Sequence, residues 1–165
     1  MTPPAIYPGT FDPVTYGHID ILKRALKIFH RVIVAVAHNP DKRPLFSVQE
    51  RVELLRRASR GLSGVTIEDF DSLVVDYVRK KRARVVIRGL RMLSDFEYEF
   101  QMALMNRKLS EDVETIFLMP KDSYSYISAR LIKEAAALGA DVSSFVPDVV
   151  GAALQQKLAR RGGRS

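Results

Sequence analysis

A short stretch near the start of the chain combines residue types that suit the handling of phosphate groups. It reads Ala5-Ile-Tyr-Pro-Gly-Thr-Phe-Asp-Pro-Val-Thr-Tyr-Gly-His18, and an amphipathic segment begins at Gly17. The start of a helix presents free N–H donors and the positive end of the helix dipole, which together attract anions. His18 falls in the first turn of this helix, within reach of a bound phosphoryl oxygen, and Thr10 can donate its hydroxyl from the loop side. Because many histidines in a first helical turn are ordinary surface residues, the spacing alone leaves both interpretations open.

A second group of cations follows the apolar run at residues 85–87 and reads Arg88-Gly-Leu-Arg91. An unpaired guanidinium is costly to bury at the end of such a run, so Arg88 requires an anion. Two arginines that flank a glycine can present forked donors to different phosphates. The alternative is an internal ion pair, for which Asp95 is a candidate.

Further polar residues carry weaker signals. Lys42 lies beside Arg43 in a polar loop, where a solvated surface charge is the ordinary interpretation. Ser123, Ser125 and Ser128 could donate to phosphate or adenine, and they are equally suited to caps and turns. The sequence shows no Ser–His–Asp set and no paired-carboxylate metal motif. Chemistry on phosphate groups that depends on alignment and on neutralisation of negative charge needs neither.

The composition is typical of a single globular domain. Of the 165 residues, 47% are hydrophobic and 27% charged. No apolar run approaches the roughly 20 residues that span a bilayer, and no signal-peptide pattern precedes the first apolar segment. The lack of cysteine excludes disulfides and thiolate zinc sites, and the three histidines lack metal-ligand spacing. We therefore expect a cytoplasmic protein without a membrane partner.

The net charge of +7 indicates an anionic partner, either a polyanion such as RNA or a small phosphorylated substrate. An RNA-binding domain would expose aromatic residues on a sheet face, whereas the predicted strands are aliphatic and covered, so we expect no nucleic-acid partner. Three of the charges lie in a Gly-containing tail. We expect one domain over residues 1–158 and a basic, flexible tail over 159–165, which holds Arg160, Arg161 and Arg164.

Segments of strand length alternate with segments of helix length along the chain. We predict strands at residues 5–7 (ended by Pro8-Gly9), 31–37, 62–68, 84–88 and 114–119. We predict helices from about residue 17 and over 47–60, 72–82, 94–108, 128–138 and 148–160. Capping-box sequences at Ser47 and Ser94 mark two of the helix starts. We expect Leu73, Val74, Tyr77 and Val78 to pack inward, and an apolar face over Phe96–Asn106 to be core.

This alternation predicts an α/β protein with a Rossmann-like, doubly wound, five-stranded parallel sheet and helices on both faces. Ligands of such sheets bind at the carboxyl ends of the strands. Polar residues follow four of the predicted strands at these ends: Thr10, Lys42, Arg88 to Arg91, and residues 125–130. They should converge on one crevice.

These motifs resemble a known family. Residues 7–18 resemble the Gly-Thr-Phe-Asp-Pro…Gly-His signature of the nucleotidyltransferase superfamily with the HxGH/TxGH motif, here Thr-Tyr-Gly-His. Residues 88–107 resemble the Arg-Gly-Leu-Arg…Asp-Phe-Glu-Tyr-Glu…Asn-Arg segment of phosphopantetheine adenylyltransferases, and residues 115–120 and 126–130 are similar to later segments. The resemblance covers roughly residues 4–158. Nicotinamide-mononucleotide adenylyltransferases, the nearest alternative, share the TxGH strand-loop-helix.

The resemblance implies transfer of AMP from ATP to 4′-phosphopantetheine, giving dephospho-coenzyme A and pyrophosphate. It implies that His18 stabilises the transition state and that the acceptor is bound by Thr10, Lys42, Val74 and Arg88, with Met105 and Asn106 nearby. It implies ATP contacts from Thr10, Phe11, His18, Gly89, Leu90, Arg91, Glu99, Tyr124, Ser125, Tyr126, Ile127, Ser128, Ala129 and Arg130. Mg²⁺ dependence, a homohexamer and feedback inhibition by coenzyme A are also implied.

The chain departs from the family pattern at two positions of the expected ATP loop. Ala129 stands where the family usually has a second serine, which removes one hydroxyl. Tyr124 occupies a position that often holds tryptophan.

Overall fold

Strands and helices alternate along the chain in the computed structural model, which describes residues 2–162. The strands are Ala5–Gly9 (β1), Val32–Ala37 (β2), Val65–Phe70 (β3), Val85–Gly89 (β4) and Glu114–Leu118 (β5). The helices are Tyr16–Leu26 (α1), Val48–Ala58 (α2), Val74–Lys80 (α3), Leu93–Leu109 (α4), Ala129–Ala137 (α5) and Asp148–Gly162 (α6), and short 3₁₀ turns lie at Pro40–Lys42 and Asp122–Tyr124. The five strands are parallel in the order β3-β2-β1-β4-β5. This confirms the predicted Rossmann-like sheet.

Helices cover both faces of the sheet. Successive side chains of a strand point to opposite faces, so each strand contributes to a core on both sides. On one face Tyr7 and Val34 join a core that includes Leu22 of α1 and residues of α2, α5 and α6. On the other face Ile6 packs with Val78 of α3 and its neighbours. Strands β1 and β2 are therefore buried on both sides, which explains their continuous apolar sequences.

The strand order reverses between β1 and β4, and the two strands separate there. Their ladder pairs only Ala5 with Val85 and Ile6 with Val86, whereas β1 pairs with β2 over five residues. The prediction that Pro8-Gly9 ends the first strand is wrong, since β1 continues to Gly9. The Pro8 carbonyl oxygen faces β4, where it accepts a bond from the Arg88 side chain, so the N–H that proline lacks is not needed by a backbone ladder on that side.

Two glycine turns shift the elements around β3. Helix α2 ends at Ala58, before the predicted residue 60, and β3 begins at Val65, after the predicted residue 62. Gly61 and Gly64 between them have φ of +88° and +79°. At Gly64 a Cβ would lie 2.4 Å from the carbonyl oxygen of His30, so this turn requires glycine.

The third and fourth helices also differ from prediction. Helix α3 begins at Val74, and its inward residues include Val75, which is buried, rather than Leu73, which is exposed. The Ser94 capping box is wrong, because α4 begins at Leu93 and Ser94 lies inside it. The carboxylate of Asp95 instead accepts the backbone N–H of Arg91 at the helix entrance.

Helix α4 has an unexpected polarity. Glu99 and Asn106 are buried, whereas most of its large apolar side chains are exposed, so the prediction that its apolar face is core is wrong for the single chain. The exposed set is Leu93, Phe96, Tyr98, Phe100, Leu104, Met105 and Leu109. Sequence periodicity shows which residues share a face, and it does not show which face meets the sheet.

Helix α6 continues to Gly162, so the first four residues of the expected tail are helical. Residues 163–165 lie outside the described part of the chain. Within residues 2–162, no helix combines the length and apolar character needed to cross a membrane.

Candidate active site

His18 is the third residue of α1 and takes part in a reciprocal cap. The Thr15 hydroxyl accepts the backbone N–H of His18 at 3.3 Å, and His18 Nδ1 accepts the backbone N–H of Thr15 at 3.0 Å. A neutral imidazole whose Nδ1 accepts a hydrogen bond carries its proton on Nε2. The ring of Phe11 meets the imidazole edge-on, with 5.0 Å between centroids. The cap therefore fixes both the orientation and the tautomer of His18.

The electrostatic surroundings keep His18 neutral. Burial, followed by the positive charges of Arg91 and Arg88, lowers the pKa of His18 to about 4. At neutral pH the side chain is consequently a hydrogen-bond donor through Nε2 and not a cation. The expected position of His18 in a first helical turn is confirmed, and its capping partner Thr15 was not anticipated.

Thr10 lies in the loop after β1 and faces the loop after β2. Its hydroxyl oxygen accepts a bond from Asn39 Nδ2 at 3.0 Å, which leaves the hydroxyl hydrogen available for donation. Lys42 ends the short 3₁₀ turn in the second loop, where its side chain is exposed and its backbone N–H donates to the Asn39 carbonyl. Asn39 thus connects two residues that the sequence placed in the site.

Arg51 of α2 holds these two loops from beneath. Its side chain is 1% exposed, and it donates to the carbonyls of Thr10 and Ala37 at 2.8 Å each, of His38 at 3.1 Å and of Phe46 at 3.2 Å. Burial lowers the pKa of Arg51, and the nearby Asp12 carboxylate acts in the opposite direction. Sequence reasoning missed this residue, since an arginine in an amphipathic helix ordinarily lies in solvent.

Asp12 is a second buried anchor that sequence reasoning missed. Its carboxylate accepts the backbone N–H groups of Leu45 at 2.8 Å and Phe46 at 2.9 Å, and the Lys133 ammonium at 2.6 Å. It therefore joins the β1 loop to the start of α2 and to α5. The available signal was a charged residue inside the otherwise small and apolar Gly-Thr-Phe-Asp-Pro sequence.

Arg88 does meet an anion, and that anion belongs to the protein. Its guanidinium forms a forked pair with Glu99, at 2.8 and 2.5 Å, and donates to the Pro8 carbonyl at 2.8 Å. Burial opposes its charge, but Glu99 more than offsets this and raises the pKa of Arg88. The alternative of an internal ion pair is therefore confirmed, but the partner is Glu99 and not the candidate Asp95, which pairs with Arg91. Three of the five guanidinium N–H groups are used in this way, which leaves two for a ligand.

Arg91 links the end of β4 to the loop before α5. It pairs with Asp95 at 3.2 Å and donates to the Ile127 carbonyl at 2.7 Å. Between the two arginines, Gly89 packs closely on α1, because a Cβ there would lie 3.3 Å from Ile21 Cγ1. The backbone N–H of Leu90 donates to the Leu118 carbonyl.

The loop at residues 124–130 meets the site through the bond from Arg91 to the Ile127 carbonyl. Ser128 caps α5, as predicted, and Ser125 donates to the Asp122 carbonyl at 2.8 Å, so both hydroxyls serve as cap and turn. The loop's other residues are Tyr124, which stacks on Tyr16, the exposed Tyr126, the buried Ile127, Ala129 at the first position of α5, and Arg130, which pairs with Glu134 on the helix surface.

Some of the predicted residues form a connected group, and three others lie apart from it. Ring contacts, charge interactions and hydrogen bonds connect Phe11, His18, Arg88, Arg91, Glu99 and Ile127 directly or through one neighbour. Thr10 is bonded instead to Asn39 and Arg51. Lys42 joins them only through its backbone, Val74 lies half-buried at the start of α3, and Arg130 points to the helix surface. In the described part of the chain, no group of three or more His, Cys, Asp or Glu side chains could hold a metal.

Comparison with known proteins gives the family. The cytidylyltransferase-like family profile matches residues 6–135. The phosphopantetheine adenylyltransferase of Caldanaerobacter subterraneus subsp. tengcongensis is 57% identical over 153 residues, 93% of this chain and 96% of that protein. That of Alkaliphilus metalliredigens is 54% identical over 92% of this chain and 97% of the relative. The chain belongs to the phosphopantetheine adenylyltransferase family. It is therefore a nucleotidyltransferase.

Solved structures agree on the fold of this family member. A Vibrio parahaemolyticus protein assigned as a nicotinate-nucleotide adenylyltransferase superposes with a TM-score of 0.73 at 20% identity, over 97% of this chain and 96% of that one. A bifunctional NMN adenylyltransferase/ADP ribose pyrophosphatase from Francisella tularensis gives 0.66 at 14% identity, over 88% of this chain and 44% of that one. At these identities the likeness shows the shared architecture alone.

Proposed function

We propose that this enzyme transfers AMP from ATP to 4′-phosphopantetheine, producing dephospho-coenzyme A and pyrophosphate in coenzyme A biosynthesis. The observation that carries the proposal is the identity of 52–57% to four phosphopantetheine adenylyltransferases, over nearly the whole chain. The site supports it, because cations and N–H donors converge where the sheet order reverses, and no nucleophilic side chain is needed.

In the proposed reaction the acceptor phosphate attacks the α-phosphorus of ATP in line. A bond forms from an acceptor oxygen to this phosphorus as the bond to the β-phosphate oxygen breaks, and no covalent enzyme intermediate forms. The protein aligns the two substrates and stabilises the charge that spreads over the α-phosphate oxygens. His18 Nε2–H is the proposed donor to these oxygens, because the backbone N–H groups of Tyr16 and His18 already donate within the protein.

We assign the acceptor phosphate to Thr10, Lys42 and Arg88, and the pantetheine arm to Val74 with Met105 and Asn106. We assign ATP to Thr10, Phe11, His18, Gly89, Leu90, Arg91, Glu99 and the loop at residues 124–130. Both oxygens of Glu99 engage Arg88, so its role includes holding this guanidinium toward the substrates.

Mg²⁺ is proposed as part of the substrate MgATP. The acidic side chains of the site do not fit a resident metal, since Asp12, Asp95 and Glu99 each pair with a cationic side chain. Phosphate oxygens and water would carry the ion.

The test is pyrophosphate release with MgATP and one of three acceptors: 4′-phosphopantetheine, nicotinamide mononucleotide or dephosphorylated pantetheine. Release with 4′-phosphopantetheine alone is expected, because only this acceptor combines the pantetheine arm with a nucleophilic phosphate. Release with the mononucleotide alone would show that the proposed acceptor is wrong, while the assignment as a nucleotidyltransferase would stand.

We also propose that the enzyme is a homohexamer in the cytoplasm and that coenzyme A inhibits it as the downstream product. The exposed apolar side chains of α4 support self-association, because a surface of this kind is normally covered by a partner. Sedimentation equilibrium should give six times the 18.6 kDa chain mass. Coenzyme A should raise the apparent KM for 4′-phosphopantetheine. A monomer in solution would overturn the hexamer, and unchanged kinetics would overturn the inhibition by coenzyme A.

A further inference from the structure

Arg51 uses its guanidinium in an unusual way. Its four acceptors are all backbone carbonyls, and they come from three segments: Thr10 after β1, Ala37 and His38 at the end of β2, and Phe46 before α2. Within residues 2–162, Arg51 forms no salt bridge. A fully buried charge that binds only main chain holds loop backbones at fixed positions.

We infer that Arg51 is a positioning residue for the acceptor phosphate. It sets the spacing between the loop after β1 and the loop after β2, and thereby the places of the Thr10 hydroxyl and the Lys42 ammonium. The inference rests on the proposed function, and it assigns Arg51 no contact with substrate.

The contacts above Arg51 carry the argument to the site. The Thr10 carbonyl is bound by Arg51 at 2.8 Å, and the Thr10 hydroxyl oxygen by Asn39 at 3.0 Å. Across the gap, the His38 carbonyl is bound by Arg51, and the Asn39 carbonyl accepts the backbone N–H of Lys42. One guanidinium therefore holds the backbone of both loops, the one that carries Thr10 and the one that carries Lys42.

Arginine is specifically suited to this role. Its five N–H groups point outward in one plane, so Nε, Nη1 and Nη2 can serve separate segments together. A lysine ammonium in the same place has three donors on a single atom, and cannot reach all four carbonyls. We therefore expect Arg51→Lys to keep the fold but to loosen the two loops.

The effect should be selective for one substrate. Of the residues that we assign to ATP, Arg51 bonds only Thr10, which we also assign to the acceptor, and it forms no hydrogen bond with Arg91 or with the loop at residues 124–130. A merely structural residue would change both substrates equally, or would lower the amount of folded enzyme. A positioning residue for the acceptor should change the acceptor KM most.

The experiment compares the full-length wild type with Arg51→Lys and with the control Arg79→Lys. Arg79 on α3 also donates to another segment of the chain, to the Leu109 carbonyl and the Ser110 hydroxyl, away from the site. We expect Arg51→Lys to raise the KM for 4′-phosphopantetheine on the order of 10-fold to 100-fold, since small misplacements cost this much, with less than about a threefold change in the KM for MgATP. Arg79→Lys should change neither. Equal changes in both KM values, or no change, would overturn the inference.

A second measurement does not depend on turnover. Amide hydrogen exchange of the substrate-free protein should accelerate in Arg51→Lys over residues 9–11 and 38–42 and stay unchanged over 124–130. Acceleration across the whole chain would show a stability effect and overturn the positioning role. Failure of the wild type to use 4′-phosphopantetheine would instead overturn the proposed function, while this exchange pattern would still report on Arg51.

Discussion

The carboxyl edge of the sheet has two sides that are built differently. The β1–β2 side consists of the loops after these strands, with Thr10, Asn39 and Lys42, and the β4–β5 side consists of Arg88, Arg91 and the loop at residues 124–130. On the β1–β2 side the buried charges of Arg51 and Asp12 bind backbone groups, which leaves the Thr10 hydroxyl hydrogen and the Lys42 ammonium for ligand. On the β4–β5 side both arginines pair with carboxylates of the protein itself.

The difference suggests two strategies for holding cations and donors in place. Backbone anchoring separates support from ligand contact, because the groups that position a loop are not those that meet the substrate. Carboxylate pairing combines support and ligand contact, since the guanidinium that the carboxylate holds is also the group that we assign to the substrate. Substitutions should therefore have separable effects on the first side and mixed effects on the second.

The largest effect is expected at His18, which lies between the sides. His18→Ala should lower kcat by about 10²–10³-fold, the cost of removing one preorganised donor to transition-state charge, with a much smaller change in ATP affinity. Stopped-time pyrophosphate assays and ATP titrations would measure the two. The exposed His30 provides the control, His30→Ala, which should match the wild type. Equal losses in turnover and ATP affinity would make His18 a binding residue instead.

Loss of the Asp12 anchor should lower the stability of the fold. Asp12→Ala leaves two buried N–H groups and the Lys133 ammonium without their acceptor, so we expect the free energy of unfolding to fall by about 3 kcal/mol. Urea denaturation measures it. The control is Glu134→Ala on α5, the helix that carries Lys133, because it removes only the exposed pair with Arg130 and should cost less than about 0.5 kcal/mol. Similar losses of unfolding free energy in the two variants would contradict the anchoring role of Asp12.

On the β4–β5 side, Arg88→Lys should change binding and stability together. A lysine cannot form the fork to Glu99 and the bond to Pro8 at once, so the KM for 4′-phosphopantetheine should rise about tenfold and the free energy of unfolding should fall by about 1 kcal/mol. Steady-state kinetics and denaturation of one preparation would test both. Arg107→Lys, at an exposed pair with Glu114, is the matched control. A change in only one property would break the contrast between the sides.

A smaller effect is expected at the start of α2, the helix that carries Arg51. Ser47 and Glu50 form a reciprocal cap, so Ser47→Ala should cost about 1 kcal/mol. Ser94→Ala is the control, because Ser94 lies inside α4 and caps nothing. Thermal unfolding of both variants would decide whether the two similar sequences differ as the structure indicates.

The last prediction concerns the charge of the His18 side chain, which should not change over the pH range in which an ordinary histidine titrates. With a folded pKa of about 4, His18 should stay neutral, with its proton on Nε2, from about pH 8 down to about pH 5. Between pH 6.5 and 4 the unfolded chain binds a proton at this residue that the folded chain does not, so its contribution to stability is present above 6.5 and falls as the pH is lowered. Nitrogen-detected NMR of the imidazole, assigned with His18→Gln, would show it. Titration near pH 6.5 would contradict the predicted shift.

The sheet and its helices were predictable because they depend on local patterns. Apolar runs such as Val32–Ala37 and the Ser47 cap are written in contiguous residues. The anchors were not predictable, since the acceptors of Arg51 lie as far as 41 residues away in the chain. The partner of Arg88 was missed for a related reason. Asp95 and Glu99 are both on α4, and only the rotation of this helix against the sheet decides between them.

The short ladder between β1 and β4 gives the Arg88 side chain a further significance. Beyond Ile6 and Val86 the two central strands are joined by a guanidinium bond to the Pro8 carbonyl. The seam of the sheet is thus closed by the cation that we assign to the acceptor phosphate. A ligand that engages Arg88 would therefore contact the side chain that joins β1 to β4 beyond their backbone ladder.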